Sequence, residues 1–228
     1  AQVAPGRRRI SATMPFKKDL LGLLQSGTAT EEELLDTLVD DVQGRDPFED
    51  AAAGAAHQRD ASGWTPLHWA AQDGHERLVR RLLELKVGTN AVDDCGATPL
   101  MTAAFNGHAG IVEALCDERS TDVRQGNGYL STAVHYAAQR GHAMVIQLLY
   151  NAKADIDTDD RHGDTPLSWA ARNGYVEACK RLCELNADPL HDNNASEDSI
   201  ELAKAAGHVD VVDVLEAAVG DPDLLANS

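Results

Sequence analysis

The chain has 228 residues, 43% of them hydrophobic and 25% charged, and its 37 acidic against 20 basic residues give a formal net charge of −17. This composition excludes wholesale disorder, and the acidic balance argues against a body that binds nucleic acid or anionic membrane and favours basic partners. No apolar run approaches the roughly 20 residues that a membrane-spanning helix needs.

Residues 1–18 form the first distinct segment, because they contain no acidic residue. The basic residues of this segment are Arg7, Arg8, Arg9, Lys17 and Lys18. The first residue of the chain is Ala, and an Arg-rich, acid-free start is typical of the remainder of an organellar transit peptide. We therefore expect a basic extended arm, and we expect any contact with an anionic membrane to occur through this arm alone.

Residues 19–59 predict an N-terminal helical cap followed by a linker. Two helical segments flank a Ser-Gly-Thr turn at residues 26–28, and Thr30 and Glu33 have the spacing of a capping box. Leucines and valines at helical spacing continue the second segment. We expect the leucines of the cap to pack on the first unit that follows, and the Ala-rich residues 48–59 to form a short helix or a linker.

The same segment carries a resemblance to a known family. Residues 16–47 contain a Lys-Asp-Leu-Leu helix, a glycine turn and an Ala-Thr-Glu-Glu-Glu run. These features resemble the N-terminal helical segment of the plastid-lipid-associated (fibrillin) proteins. The resemblance implies a plastid location after removal of a transit peptide; otherwise we expect the chain in the cytoplasm. It implies nothing about lipid binding, because the barrel that follows in that family does not follow here.

From residue 60 onward the sequence repeats. Four tetrapeptides recur at spacings of 33, 34 and 33 residues, namely TPLH at 65–68, TPLM at 98–101, TAVH at 132–135 and TPLS at 165–168. Each is followed by two alanines and then a glycine, and a fifth, divergent copy covers residues 198–208. Self-similarity at this period indicates stacked supersecondary units, none of which buries its apolar face alone.

Elementary rules predict the structure of one unit. Thr65 is a good N-cap and Pro66 a good first helical residue, and Gly74 is suited to end that helix in the left-handed conformation. The segment 76–85 then carries leucine and valine at helical spacing, which predicts a second, antiparallel helix. The third unit has one extra residue before its helix, so we expect the finger between the second and third units to bulge. This unit also lacks the helical proline.

This pattern resembles the ankyrin repeat family over residues 60–219. The resemblance implies an all-α repeat solenoid of stacked helix-turn-helix units with hairpin-like fingers, and a fifth unit whose polar face caps the stack. Residues 221–228 are expected to be a C-terminal tail. The repeat domain, 60–220, is expected to divide into units at 60–92, 93–124, 125–158, 159–191 and 192–219.

Nine histidines raise the question of a metal or catalytic site. Their register argues against one. His68 and His135 occupy the fourth place of the tetrapeptide, where the resemblance implies a bond to neighbouring backbone. The histidines that follow a helix-ending glycine are His75, His108, His142 and His208. We expect no catalytic residue, no cofactor and no metal.

The cysteines support the same interpretation. Cys179 and Cys183 lie four residues apart, which suits two ligands of a zinc site. Both nevertheless align with core positions of the first unit, as does Cys116, so we favour their packing as small hydrophobic residues. Cys95 falls on a finger tip, and we expect it to be exposed.

In the ankyrin family, partners bind the concave strip made by finger tips and the exposed side of each first helix. The two residues before each helix-ending glycine are Gln72 and Asp73, Phe105 and Asn106, Gln139 and Arg140, and Arg172 and Asn173. The finger candidates are Trp64, Asp94, Cys95, Arg161, His162 and Asp164.

Within this strip the residues are expected to play different roles. Trp64 and Phe105 are expected to be exposed aromatic anchors. Arg140 and Arg172 are expected to grip carboxylate or carbonyl groups. The large aromatic residues one place before the alanine pair, which are Trp69, Tyr136 and Trp169, are expected in the core.

These observations predict a non-enzymatic protein–protein interaction module or scaffold, an accessory subunit of an organellar complex, that binds another protein or a multi-subunit complex. Nucleic acid is not expected to bind the repeat body. The alternative is a peripheral tether, in which residues 1–18 bind an anionic membrane or RNA and the repeats recruit a client protein.

Overall fold

The computed structural model describes residues 19–39 and 57–220. Over these ranges it contains twelve helices and no strand, so the predicted all-α repeat fold is confirmed. The basic arm, most of the linker and the C-terminal tail lie outside the described residues. The helices are α1 (Leu20–Ser26), α2 (Glu31–Val39), α3 (Pro66–Asp73), α4 (Glu76–Glu84), α5 (Pro99–Asn106), α6 (Ala109–Asp117), α7 (Ala133–Gln139), α8 (Ala143–Asn151), α9 (Pro166–Arg172), α10 (Val176–Glu184), α11 (Ser199–Ala206) and α12 (Val209–Gly220).

The helices form two parallel rows. In the inner row each of α3, α5, α7, α9 and α11 contacts the next, and in the outer row α4, α6, α8, α10 and α12 do the same. The inner helices approach closely because alanine pairs such as Ala70 and Ala71 face the interior and are fully buried. The leucines of the outer helices, including Leu78 and Leu82, close the core from the other side.

The N-terminal helix pair extends both rows. Helix α1 contacts α3 in the inner row, and α2 contacts α4 in the outer row. The capping box predicted for α2 is present, since Thr30 N–H donates to Glu33 Oε2 at 2.9 Å and Glu33 N–H donates to Thr30 Oγ1 at 3.3 Å. Glu31 Oε1 accepts the backbone N–H groups of Arg77 and Leu78, which would otherwise be unpaired at the start of α4. The pair therefore stacks as a further unit of the array.

The extra residue of the third unit lies before its finger, not in it. Asp122 N–H donates to Asn90 Oδ1 across 32 residues, and the equivalent bond two units later, from Asp188 N–H to Asp157 Oδ1, spans 31 residues. The insertion therefore precedes Asp122, where α6 leaves the helical conformation at Glu118. The predicted bulge in the finger is wrong, because the chain absorbs the additional residue in the turn after α6.

Candidate functional site

Each finger is built on one Asp or Asn side chain. Its Oδ1 accepts the backbone N–H groups two and four residues further along, at 2.7–3.1 Å. These five finger residues are Asp60, Asp93, Asn127, Asp160 and Asn193. They are not among the predicted site residues, although an Asp or Asn recurs at this position with the period of the tetrapeptides. An Asx turn of this kind fixes each finger before any partner binds.

In the first, third and fourth fingers the remaining side-chain atom of the finger residue bonds to an aromatic side chain of the helix that follows. Trp69 Nε1 donates to Asp60 Oδ2 at 3.1 Å, and Trp169 Nε1 donates to the second oxygen of its own finger aspartate at 3.2 Å. In the third unit the direction reverses, since Asn127 Nδ2 donates to the Tyr136 hydroxyl oxygen at 2.8 Å. The three aromatic residues expected in the core are therefore half-buried, because their polar atoms reach the fingers at the surface.

Two of these rings join a third to form an aromatic row, which we define as Phe105, Tyr136 and Trp169 on α5, α7 and α9. The centroids of Phe105 and Tyr136 are 6.0 Å apart at an interplanar angle of 80°, and those of Tyr136 and Trp169 are 6.2 Å apart at 76°. Both are edge-to-face contacts, the geometry that aromatic pairs favour. All three rings are half-buried, so the row presents ordered aromatic surface.

Charge near the row comes from Arg140, at the end of α7. Its guanidinium carbon lies 4.7 Å from the centroid of the Phe105 ring. The side chain is exposed and makes no ion pair with any residue that the structure describes. Burial raises the pKa of Tyr136 more than the hydrogen bond from Asn127 lowers it, so the Tyr136 hydroxyl stays neutral. Arg140 is thus a cation available beside the row.

The other predicted arginine of this helix position is differently placed. Arg172 Nη2 donates to Asp164 Oδ2 at 2.8 Å, and that carboxylate is 3% exposed. The second oxygen of Asp164 accepts Asn193 Nδ2 at 2.8 Å. Arg172 therefore neutralises a carboxylate of its own chain instead of standing free for one on a partner. Asp164 is correspondingly buried and is not the finger-surface residue that was expected.

Trp64 also differs from the expected exposed anchor. It is half-buried, its Nε1 donates to Asp93 Oδ2 at 3.1 Å, and its ring lies 4.9 Å from that of Trp69. It therefore ties the first finger to the second. The pKa of Asp60, beneath this pair, is lowered overall: burial raises it, but the N–H groups of Trp64 and Ser62 outweigh that effect.

The predicted site residues differ in exposure. Phe105 is half-buried under Arg140, and Gln72 and Gln139 are half-buried as well. The exposed residues of the predicted set are Asp73, Asp94, Cys95, Asn106, Arg140, Arg161, His162, Arg172 and Asn173. We call the surface made by the finger tips and the solvent side of the inner helices the inner-helix face.

The histidines bond within the repeat stack. The Nδ1 atoms of His68 and His135 accept the backbone N–H of the N-cap threonine at 3.2 and 3.1 Å, so each Nε2–H donates to a carbonyl of the next finger. Burial lowers the pKa of both, although the carbonyl bonds partly offset it. His108, His142 and His208 bond to the carbonyl two residues before the glycine of the preceding inner helix.

The cysteines include one exposed thiol. Cys95 is exposed as expected, whereas Cys179 is buried and Cys116 and Cys183 are half-buried. Burial raises the pKa of Cys116 to about 11 and the pKa of each of the other two to about 12. Among residues 19–39 and 57–220 no group of three or more His, Cys, Asp or Glu side chains is placed to hold a metal ion. No helix in the same ranges is long and apolar enough to cross a membrane.

Comparisons with known proteins identify the repeat. A family model described as ankyrin repeats (3 copies) matches residues 28–127 and 119–193. The neurogenic locus notch homolog protein 1 of Xenopus laevis is 32% identical over 185 residues, and that of Homo sapiens is 31% identical over 184 residues. Each alignment covers 80% of this chain, which spans 7% of the length of these relatives. Palmitoyltransferase AKR1 of Lachancea kluyveri is 30% identical over 129 residues, 54% of this chain and 17% of that protein.

Proposed function

Because the chain belongs to the ankyrin repeat family, we propose that it is a non-enzymatic module that binds another protein through its inner-helix face. The observation that carries the proposal is the aromatic row with Arg140 stacked on it. Aromatic rings and arginine concentrate binding energy at protein interfaces. The row occupies the second to fourth units, where both flanks of the face can contact the same partner.

The row is also ordered in advance. Tyr136 and Trp169 are held by hydrogen bonds to finger residues, and Phe105 is held between Tyr136 and Arg140. Side chains that are fixed before association lose little conformational freedom when they bind, and that saving of about 0.5–1.5 kcal/mol per side chain appears as affinity. This arrangement supports recognition of a specific partner.

Photo-crosslinking tests the proposal. Benzoylphenylalanine replaces Phe105 in one variant and Tyr150 in the other, the second being an exposed aromatic residue on the outer helix α8. Both variants are irradiated in extract of the source cells, and adducts are identified by mass spectrometry. We expect one protein to crosslink at position 105 and not at position 150. This adduct should be lost when the variant with benzoylphenylalanine at position 105 also carries Arg140→Ala. Adducts that form equally at both positions would contradict binding through the inner-helix face.

A narrower hypothesis is that the chain is an accessory subunit of a plastid complex. It rests on the transit-peptide character of residues 1–18 and on the resemblance of residues 16–47 described above. Imaging of the protein encoded in the source cells, fused to a fluorescent protein, tests it. Plastid fluorescence and co-migration with a large complex in native gels are expected. Diffuse cytoplasmic fluorescence would remove the plastid from the proposal and leave the interaction module intact.

The alternative function is a peripheral tether, favoured by the five basic and no acidic residues of the segment 1–18. Such an arm gives attachment of about 1 kcal/mol for each basic residue near an anionic surface. Co-sedimentation with phosphatidylserine vesicles, with and without residues 1–18, tests it. Sedimentation that depends on the arm and is lost at high salt supports the tether. Equal sedimentation of the two chains rules it out.

A further inference from the structure

One position of the finger turn departs from its equivalents in the same chain. The backbone there is left-handed in all five fingers, with φ of +79°, +81°, +63°, +75° and +58°. The residues are Gly63, Gly96, Leu130, Gly163 and Ser196. A residue with a side chain is strained in this conformation, and a branched apolar side chain has no local hydrogen bond to compensate. Of the five residues found at this position, leucine is thus the one that the turn itself least favours.

Leu130 does not gain burial in return. It is 56% exposed, and so is the neighbouring Tyr129. Two consecutive large apolar side chains therefore project from the tip of the third finger, the central one of the five. Neither the turn nor the core accounts for them, and strain that persists without a structural reason is found at binding sites.

An arginine of the fourth finger lies against the third fingertip. The guanidinium carbon of Arg161 lies 5.5 Å from the centroid of the Tyr129 ring, and its Nη2 donates to the Gly128 carbonyl at 2.6 Å. Arg161 is exposed and, like Arg140, makes no ion pair in the part of the chain that the structure describes. In a protein with a net charge of −17, an arginine that stacks on an aromatic ring and has no carboxylate partner is a local site for an acidic group.

The fingertip and the aromatic row form one surface. Asn127, two residues before Tyr129, donates to the hydroxyl of Tyr136 in the row. The Oδ1 atom of the same Asn127 accepts the Tyr129 N–H at 2.8 Å. A segment that binds the row therefore also reaches the third fingertip.

We propose that Tyr129, Leu130 and Arg161 form a docking element for a linear acidic segment of a partner protein, in which a carboxylate lies next to apolar side chains. Leu130 and Tyr129 pack on the apolar side chains of that segment, and Arg161 binds its carboxylate. This inference rests on the proposed function, because it names the kind of partner that the inner-helix face recognises.

Selection from a phage-displayed library of random peptides tests the inference on the full chain. We expect the enriched peptides to place Asp or Glu beside aliphatic or aromatic residues. Synthetic copies are then titrated by fluorescence anisotropy. Leu130→Gly should lower the affinity for these peptides at least about 10-fold, the loss typical of a central interface residue. Leu190→Ala, which shortens a leucine that is 51% exposed in a different loop, should leave affinity unchanged.

Stability separates a binding role of Leu130 from a structural one. Glycine stands at this position in three other fingers, so Leu130→Gly should melt at or above the wild-type temperature while it loses peptide. Arg161→Gln should lower the affinity for the peptides and reduce the salt dependence of their binding. A lower melting temperature of Leu130→Gly, or its unchanged affinity, would overturn the inference.

The remaining outcomes distinguish this inference from the proposed function. If Phe105→Ala and Arg140→Ala lower the affinity for the peptides but Leu130→Gly does not, the docking element is overturned and the inner-helix face remains supported. If none of these variants lowers the affinity for the peptides, the result counts against both the docking element and the proposed function. A library that yields no enriched sequence, or yields basic sequences, overturns the inference, since it requires a linear acidic segment.

Discussion

At the scale of single residues, the choice between aspartate and asparagine in each finger follows the partner of its second side-chain atom. An indole N–H requires an acceptor, and Asp60, Asp93 and Asp160 supply one to a tryptophan. Asn127 and Asn193 instead donate, to a tyrosine hydroxyl and to a carboxylate. Because Oδ1 is already engaged by two backbone N–H groups, the second atom is free to vary with its neighbour.

This rule predicts a compensated pair of substitutions. Asp160→Asn places an amide NH₂ against the Trp169 indole N–H, and rotation of the amide would place it against two backbone N–H groups instead. Either arrangement leaves a donor unpaired, so we expect a loss of about 1–3 kcal/mol in the free energy of unfolding. Urea denaturation of Asp160→Asn, Trp169→Tyr and the double variant measures it.

The double variant reproduces the Asn127–Tyr136 pair of the third unit. We therefore expect Asp160→Asn to be less harmful by about 1 kcal/mol in the Trp169→Tyr background than in the wild type. Additive effects of the two substitutions would contradict the matching of donors and acceptors.

A second residue-scale prediction concerns the thiols. In the native protein at pH 8, dithionitrobenzoate should react rapidly with Cys95, which is exposed, while burial and a raised pKa keep the other three cysteines protonated. One equivalent of thiol should appear before unfolding and the others after addition of urea. The variant Cys95→Ser is the control and should lose the rapid phase. Rapid release of more than one equivalent from the native protein would show that the packing of Cys179 or its neighbours is wrong.

At the scale of helices, the sequence predicted most of what the structure contains. Thr-Pro starts, alanine pairs and terminal glycines mark the inner helices, because each of these signals acts within one turn of helix. The half-burial of Trp69, Tyr136 and Trp169 was not predictable in this way. Their position borders the core, and the finger residues that draw their polar atoms outward lie nine residues away. The insertion before Asp122 was likewise misplaced, since spacing alone does not say which loop absorbs a residue.

The inner helices also predict a pH dependence. The pKa values of His68 and His135 are lowered by burial, so the folded protein keeps both neutral where the unfolded chain is already protonated. Above about pH 6.5 the folded and unfolded states bind the same number of protons at these histidines. Below that pH the unfolded state binds more, so folding becomes less favourable as the pH falls. The melting temperature should therefore decrease between pH 7 and pH 5.

The variant His68→Met with His135→Met isolates this effect, because Met101 occupies the equivalent position of α5. At pH 7.5 it should lose about 0.5–1.5 kcal/mol for each missing hydrogen bond to the next finger. Between pH 7 and pH 5 its melting temperature should fall less than that of the wild type. An equal fall in both proteins would assign the pH dependence to carboxylates instead.

At the scale of the whole molecule, the stack begins earlier than the repeated tetrapeptides show. Helices α1 and α2 contain no Thr-Pro start and no finger residue of the later kind, so sequence alone indicated a separate cap. They nevertheless occupy the inner and outer rows, and the ankyrin family model begins its match at residue 28, between them. What the pair shares with the other units is the burial of its leucines on the next unit, and this requires only helical spacing.

The position of this pair gives the last prediction. Leu20, Leu24, Leu34 and Leu38 are each at most 2% exposed, and Glu31 caps α4. In an array stabilised by contacts between neighbours, loss of a terminal unit exposes the next one. Deletion of residues 1–39 should therefore lower the free energy of unfolding by several kcal/mol, at about 1.5–3 for each leucine whose burial is lost. Deletion of residues 1–18 alone is the control and should leave the urea midpoint unchanged. Equal midpoints for the two deletions would mean that α1 and α2 do not stabilise the stack.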